Sequence, residues 1–340
     1  GISGHPDLQV TGGVSFVDGV SSFSDDHGHG THIAGIIAGA NNSYGLMGVS
    51  PEVQLYAVKV LDSSGAGNTS AVIEAIEWSI ENGIQVINMS FTSDEYSESL
   101  HEALQIAAQE GILIIGAAGN AGYGEQTVKY PSLYPEVIAV GAVDHFHNRA
   151  YFSSTGEKLE LMAPGSKILS TTRDGNYGVS SGTSMAAAHA AGAAALLWSA
   201  NPDWSAQDVK ARLLETATPL GEAAEYGQGL VNVAKALNFI SGPIAPLSDE
   251  LVDGEEVLWP VPAEGDIHIA SYDKIGDGAT IEPGESATVS LKLEGDPNGD
   301  NPHSQIIIEV YPAANPGNII ESDIIHNPEL HQTISYTWHT

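Results

Sequence analysis

Cysteine is absent from the 340 residues, which excludes disulfide staples and thiol chemistry and leaves the compartment open. Positive charge is scarce: 11 Lys+Arg stand against 43 Asp+Glu, a formal net charge of −32. Such a chain repels phosphate backbones, so no nucleic-acid partner is expected, and the same charge favours solubility and cation binding. No stretch approaches the roughly eighteen uninterrupted apolar residues of a membrane-spanning helix, so no membrane partner is expected either. What is present is a 42% apolar content, enough for one large core and a smaller second one.

From residue 1 to about 240, short apolar runs alternate with helix-like stretches. Gln54 to Leu61 reads as a strand, Thr69 to Asn82 as an amphipathic helix closed by Gly83, and Gln85 to Ser90 as a strand. Ser97 to Gln109 reads as a helix ending at Gly111, followed by the apolar strand ILIIGAAG. This alternation predicts an α/β fold with a mostly parallel sheet covered on both faces, and functional loops at the carboxyl ends of its strands. Residues 241–265 read as a Pro-rich acidic linker. In residues 266–340, ATVSLKL, SQIIIEVY and TISYTWH alternate like half-buried strands, which predicts a small all-β domain, a β-sandwich. Residues 241–340 hold 18 Asp+Glu against 2 Lys+Arg, so the acidity is concentrated there.

Three motifs carry chemistry. In SDDHGHGTHIAGIIAG, residues 24–39, His29 lies between small residues at the start of an apolar helical run, where an imidazole can serve as acid and base. His27, His29 and His32 also allow a metal or plain loop reading, although their spacing is not a helical pair. In SGTSMAAAHAAGAAALLWSA, residues 181–200, Ser184 heads an Ala/Leu helix whose amides favour developing negative charge; an ordinary N-cap is the bland alternative. In ILIIGAAGN, residues 112–120, a buried strand runs into Asn120, a donor suited to an oxyanion or simply a turn residue.

The coincidence of HGTHIAG, AAGN and GTSMAAAH, in that order, with QLYAVKVL, VINMS, YPSLYPEVIAVGAVD and APGSKILST between and around them, resembles the subtilisin-like serine proteases, the subtilases, over about residues 1–240. The resemblance implies the three-layer subtilisin fold and a secreted, extracellular serine endopeptidase acting on proteins or peptides. By it, Ser184 is the nucleophile, His29 the general base and acid, and Asn120 an oxyanion donor beside the Ser184 amide.

GISGHPDL also fits the family, with Gly1 as the glycine of an Asp-[Ser/Thr]-Gly block. The orienting Asp is then expected two residues ahead of Gly1, on an upstream or separately bound N-terminal segment, and the chain's own propeptide or such an N-terminal fragment is expected as a partner. Neither Asp25 nor Asp26 is assigned that role. Ala188 stands where the family usually has Pro, which predicts a looser first turn around Ser184.

The resemblance further implies Ca²⁺ at Asp7, the Asn42 side chain and the carbonyls of Ala40, Tyr44 and Leu46, all hard oxygen donors. A weaker cation site is expected at Glu160 with the carbonyls of Ser132, Tyr134 and Val137. Substrate should lie extended between Gly65, Ala66 and Gly67 on one side and Ser90, Phe91 and Thr92 on the other, with Ala117 and Gly119 lining the pocket. Lys129 at the pocket base predicts tolerance of an acidic substrate side chain, unless its ammonium reaches solvent. Met185 is expected to be open to oxidation. Two rivals remain at this level: a subtilase-fold pseudoprotease retained for binding, and a C-terminal adhesive domain as the working part.

Overall fold

The computed structural model describes residues 1–238, together with the backbone of four strands further along the chain. The first compact unit runs from Gly1 to Leu247. Its elements are β1 (Val10–Ser15), α1 (His29–Ala38), β2 (Leu55–Lys59), α2 (Thr69–Glu81), β3 (Val86–Met89), α3 (Glu98–Gln109), β4 (Leu113–Ala117) and β5 (Val137–Val143). There follow β6 (Leu161–Pro164), β7 (Ile168–Thr171), β8 (Tyr177–Ser180), α4 (Thr183–Ala200), α5 (Ala206–Thr216) and the single turns α6 (Ala223–Tyr226) and α7 (Val233–Ala236).

Local signals explain the boundaries. Asn68 caps α2 by accepting from the Ala71 amide at 2.9 Å, and Ser97 caps α3 by accepting from Leu100 at 3.3 Å. The chain leaves these helices through Gly83 and Gly111, both at positive φ, where a side chain would be strained. Strands β3, β4, β5 and β6 pair in that order, all parallel.

In β4 the alternation of side chains separates two cores. Ile115 faces α4 with Ile138, Val140 and Leu197, whereas Ile114 faces α2 and α3 with Ile76, Leu100 and Leu104. The sheet is therefore covered on both faces, as the unbroken apolar strands require. Helix α4 is rich in Ala and buried on nearly every side, the character of a helix at the centre of a core. It is regular from Thr183, and Ala188 is fully buried against Ile33, Ile36 and Met185, so the looser first turn expected from the missing Pro is not seen.

The single central sheet expected from the sequence is divided. β1 and β2 form a separate parallel pair, and a slot of about 250 Å³ lies between β2 and β3, lined by Leu55, Ala57, Val86, Ile87 and by Ile33 and Ala34 of α1. Among the described residues no strand occupies that slot.

The second compact unit spans Ser248–Thr340. Its described strands, β9 (Ser286–Glu294), β10 (Gln305–Pro312), β11 (Glu321–His326) and β12 (Ser335–His339), form one antiparallel sheet in the order β11-β10-β9-β12. The 241–265 linker and any second layer of a sandwich lie outside the described residues. Among the described residues no helix is long and apolar enough to cross a membrane.

Candidate active site

Three chain segments meet at the carboxyl ends of β3 and β4, where loops of a parallel sheet gather. Ser184 lies in the first turn of α4, directly after Gly182 and Thr183. Its hydroxyl donates to the Ser90 carbonyl at 3.1 Å, and the Ser90 hydroxyl donates back to the Ser184 carbonyl at 2.9 Å. Asn88 of β3 donates to the Ser90 hydroxyl at 2.9 Å, so this reciprocal pair is anchored to the sheet.

Asn120 follows β4 through Gly119. Its Oδ1 accepts from both the amide of Thr183 at 2.9 Å and the Thr183 hydroxyl at 3.0 Å, while the Gly119 amide donates to that hydroxyl at 3.1 Å. An amide side chain has one acceptor oxygen and one NH₂ group, so fixing the oxygen on Thr183 turns Nδ2 away from it as a donor. Nδ2 lies 3.4 Å from where a Cβ on Gly182 would stand, which places the donor against the head of α4. Thr183 and Asn88 were missed by the sequence analysis. Thr183 sits inside the GTS motif, but nothing in local spacing links it to a residue on β4's loop.

His29 opens α1 and is partly exposed in a cleft of about 480 Å³. Asp62, Gly65, Ser90, Phe91 and Thr92 line the same cleft, so both expected substrate edges border it. Burial, then the neighbouring His27, whose ring centroid is 6.4 Å from that of His29, holds the His29 imidazole below its ordinary pKa. Among the described residues no hydrogen bond reaches the His29 ring from another protein group.

Asp25 and Asp26 are spent elsewhere. Asp25 accepts from the amides of His27, Gly28 and Thr31 and from the Thr31 hydroxyl at 2.6–2.9 Å, fixing the start of α1. Burial pushes its carboxyl up, but the Thr31 hydroxyl and these amides outweigh burial and hold it below the usual range. Asp26 pairs with the buried Lys59 at 2.6 Å.

On the first substrate edge, the Asp62 carboxylate takes the amides of Ser64 and Ala66, and the Asp62 amide donates to the Ala66 carbonyl at 2.8 Å. The Ala66 amide and carbonyl and the Gly65 amide are thereby consumed by the turn, the last on the Asp62 carbonyl at 3.0 Å, which leaves the Gly65 carbonyl and Gly67 for an extended partner. On the second edge Ser90 is buried, Phe91 packs on the α2/α3 core and Thr92 is exposed. Ala117 is buried and its carbonyl accepts from Ser132 at 2.8 Å, so it forms wall and not binding surface.

Lys129 does not present a free ammonium. Its Nζ pairs with Asp94 at 2.5 Å, a partner the sequence analysis did not name. Met185 is 3% exposed, packed on Ile33, Ile36 and Ala188, which corrects the expectation that its sulfur is open to oxidation.

Asp7 is fully buried (0% exposed), and neutral donors contact its carboxylate: Asn42 Nδ2 at 3.0 Å, the Leu46 amide at 2.9 Å and the Tyr177 hydroxyl at 3.2 Å. Among the described residues no lysine, arginine or histidine pairs with it. Ala40 and Tyr44 belong to the same loop, whose Asn42 Oδ1 accepts from the Tyr44 amide at 3.0 Å while the Ala40 amide donates to the Asp7 carbonyl at 2.9 Å. Burial, then the Asp7 charge, raises the Tyr177 phenol above its ordinary pKa, so it stays a donor in alkaline medium. Among the described residues no cluster of three or more His, Asp or Glu side chains is gathered for a metal, so a cation at Asp7 would rely on amide and carbonyl oxygens.

The weaker cation site is corrected by the structure. The Lys158 ammonium sits between the Val137 carbonyl, at 2.8 Å, and Glu160, at 2.6 Å, and Lys210 pairs with the other Glu160 oxygen at 2.9 Å. An amine supplied by the chain holds the place a metal ion was expected to take.

Comparison with known proteins shows the family. Residues 1–229 match the subtilase family, Peptidase S8. The chain is 50% identical over 234 residues to subtilisin DY of Bacillus licheniformis, covering 68% of this chain and 85% of that protein. It is 47% identical over 236 residues to subtilisin Savinase of Lederbergia lenta, covering 69% and 87%. With subtilisin E of Bacillus subtilis (strain 168) the identity is 50% over 237 residues, covering 69% of this chain and 62% of that protein. The fold, the site at the head of α4 and these matches make the chain a member of the subtilase family of subtilisin-like serine endopeptidases.

Proposed function

We propose that Ser184 attacks the scissile carbonyl of an extended polypeptide while His29 takes the hydroxyl proton and returns it to the leaving amine. The Asn120 Nδ2 and the Ser184 amide hold the developing oxyanion. The observation that carries this reading is the double hold of Thr183 on Asn120, which commits Nδ2 as a donor beside the nucleophile. For Ser184 to react, its hydroxyl must leave the Ser90 carbonyl and turn toward His29, and such contacts tighten on substrate binding.

The carboxylate that orients His29 comes, in this reading, from an Asp-bearing N-terminal segment, joined upstream or bound as a fragment, lying as a further parallel strand in the slot between β2 and β3. Two observations support it. The slot is apolar, and the strands on its two sides, β2 and β3, each belong to a parallel pairing. Gly1 packs so closely on Gly30 that a Cβ there would come 2.0 Å from the Gly1 carbonyl, so a residue two positions upstream would be within reach of His29.

Calcium fits the Asp7 loop. A buried carboxylate without a countercharge is costly, and the Asn42 side-chain oxygen and the carbonyls of Ala40, Tyr44 and Leu46 are hard donors of the kind Ca²⁺ takes, once the Asn42 amide turns from the orientation in which its Nδ2 meets Asp7. We place the activity outside the cell, on protein or peptide substrates, with a propeptide as a further partner. Residues 1–240 would be the catalytic domain, 241–265 the linker and 266–340 a β-sandwich.

Hydrolysis of an unstructured polypeptide tests the reading: activity that falls to background in both Ser184→Ala and His29→Ala is expected. Undiminished cleavage in either variant would refute it.

A further inference from the structure

Lys129 stands between the two segments that border the nucleophile. Its amide donates to the Ala118 carbonyl at 2.9 Å, and the next residue, Tyr130, exchanges backbone hydrogen bonds with Ser93 at 2.8 and 3.1 Å. A Cβ on Gly119 would approach the Lys129 Cγ to 2.9 Å, so the lysine stem runs along the face that glycine leaves open. One wall, Ala117 to Asn120, therefore ends at the amide beside Ser184; the other, Ser90 to Asp94, begins at the carbonyl that holds the Ser184 hydroxyl. The Lys129 ammonium closes the distance between them on Asp94, with side-chain exposures of 35% and 79%.

We propose that Asp94 is a specificity-determining residue: by pairing with Lys129 it masks the ammonium, so the pocket for the substrate side chain preceding the scissile bond takes uncharged groups. The proposal rests on the reading of these segments as the substrate pocket of Ser184. An exposed ion pair holds weakly in water, so losing it costs the fold little. A bound substrate, however, displaces water from the cleft, and a charge left without its partner then acts strongly on a substrate charge. Removing Asp94 leaves a cation at the wall, and removing Lys129 leaves an anion. Asp94 acts through Lys129 and not on the reacting atoms, so a changed preference for substrate charge, sensitive to salt, distinguishes this role from a structural one.

The experiment compares kcat/KM for peptides that differ only in Leu, Glu or Arg at the residue before the scissile bond. The active enzyme is assayed as wild type, Asp94→Asn, Asp94→Glu, Lys129→Gln and the double variant Asp94→Asn/Lys129→Gln, each at low and high salt. Asp94→Asn should raise the Glu/Leu ratio about tenfold at low salt and less at high salt. Asp94→Glu should return the ratio toward wild type, and the double variant should lose the gain; Lys129→Gln should raise the Arg/Leu ratio instead. A Glu/Leu ratio unmoved in Asp94→Asn, or a gain that persists in the double variant, would overturn the proposal alone. Failure of the wild type to cleave any of the three peptides would overturn it together with the reading on which it rests.

Discussion

Thr183 holds Asn120 through two hydrogen bonds to one oxygen, at 2.9 Å from its amide and 3.0 Å from its hydroxyl. The Asn120 side chain is therefore oriented by the same helix turn that carries Ser184. Asn120→Ala should lower kcat by about 10²–10³ with little change in KM, because the lost bond forms with the oxyanion and not the ground-state carbonyl. Thr183→Val keeps the amide bond and loses the hydroxyl bond, so kcat should fall about three- to tenfold. Steady-state kinetics on one peptide checks both, and an unchanged kcat in Asn120→Ala would remove it from the site.

The depressed pKa of His29 has a sign that can be followed. A base is needed in its neutral form, so the acid limb of kcat/KM follows the His29 pKa, which burial and His27 push down and the carboxylate of the proposed N-terminal segment would push up. Burial is the larger cause and stays in any neighbouring variant, whereas the charge of His27 can be removed. His27→Gln should thus move the acid limb upward. For stability, a histidine whose folded pKa is lowered favours the native state above its unfolded pKa, and that contribution is lost as pH falls through the unfolded value toward the folded one. A pH–rate profile of His27→Gln lying below that of wild type would contradict this assignment.

Chelation should lower the melting temperature, since a ligand at a hundred times its Kd stabilises by about 2.7 kcal/mol. Asp7→Asn should abolish the calcium-dependent part of the shift, because it removes the buried charge that calls for a cation. Melting curves of both proteins with calcium and with chelator are sufficient, and an equal chelator effect in Asp7→Asn would place calcium elsewhere.

Lys158→Met should destabilise the unit by about 1–3 kcal/mol, as it removes the ammonium from the Val137 carbonyl and leaves one Glu160 oxygen with only the Ala139 amide, at 3.3 Å. Burial already lowers the Lys158 pKa, and the Glu160 charge works against that shift. Denaturant unfolding of the variant measures the loss; no change would mean water replaces the amine at no cost.

Much of the α/β architecture could be read in advance because it rests on local signals. Helices α2 and α3 show their caps at Asn68 and Ser97 and their stops at Gly83 and Gly111, and β4 is one apolar run between turns. The site was legible in part: the motifs named His29, Ser184 and Asn120. What joins them was not, because polar contacts between distant segments leave no period in the sequence. Asn120 and Thr183 are 63 positions apart, and Lys129 and Asp94 are 35 apart. A lysine's charge is visible in one dimension, but whether another side chain already neutralises it is settled only in three. Lys158 gives the same lesson at Glu160.

The central claim is that Ser184 is a nucleophile activated by His29. Peptide mapping after reaction of the active enzyme with a fluorophosphonate measures it directly, since the reagent modifies an activated serine. The account predicts one label per molecule, on Ser184, and loss of labelling in His29→Ala. A label on another residue, or an equal rate of labelling in His29→Ala, would contradict it.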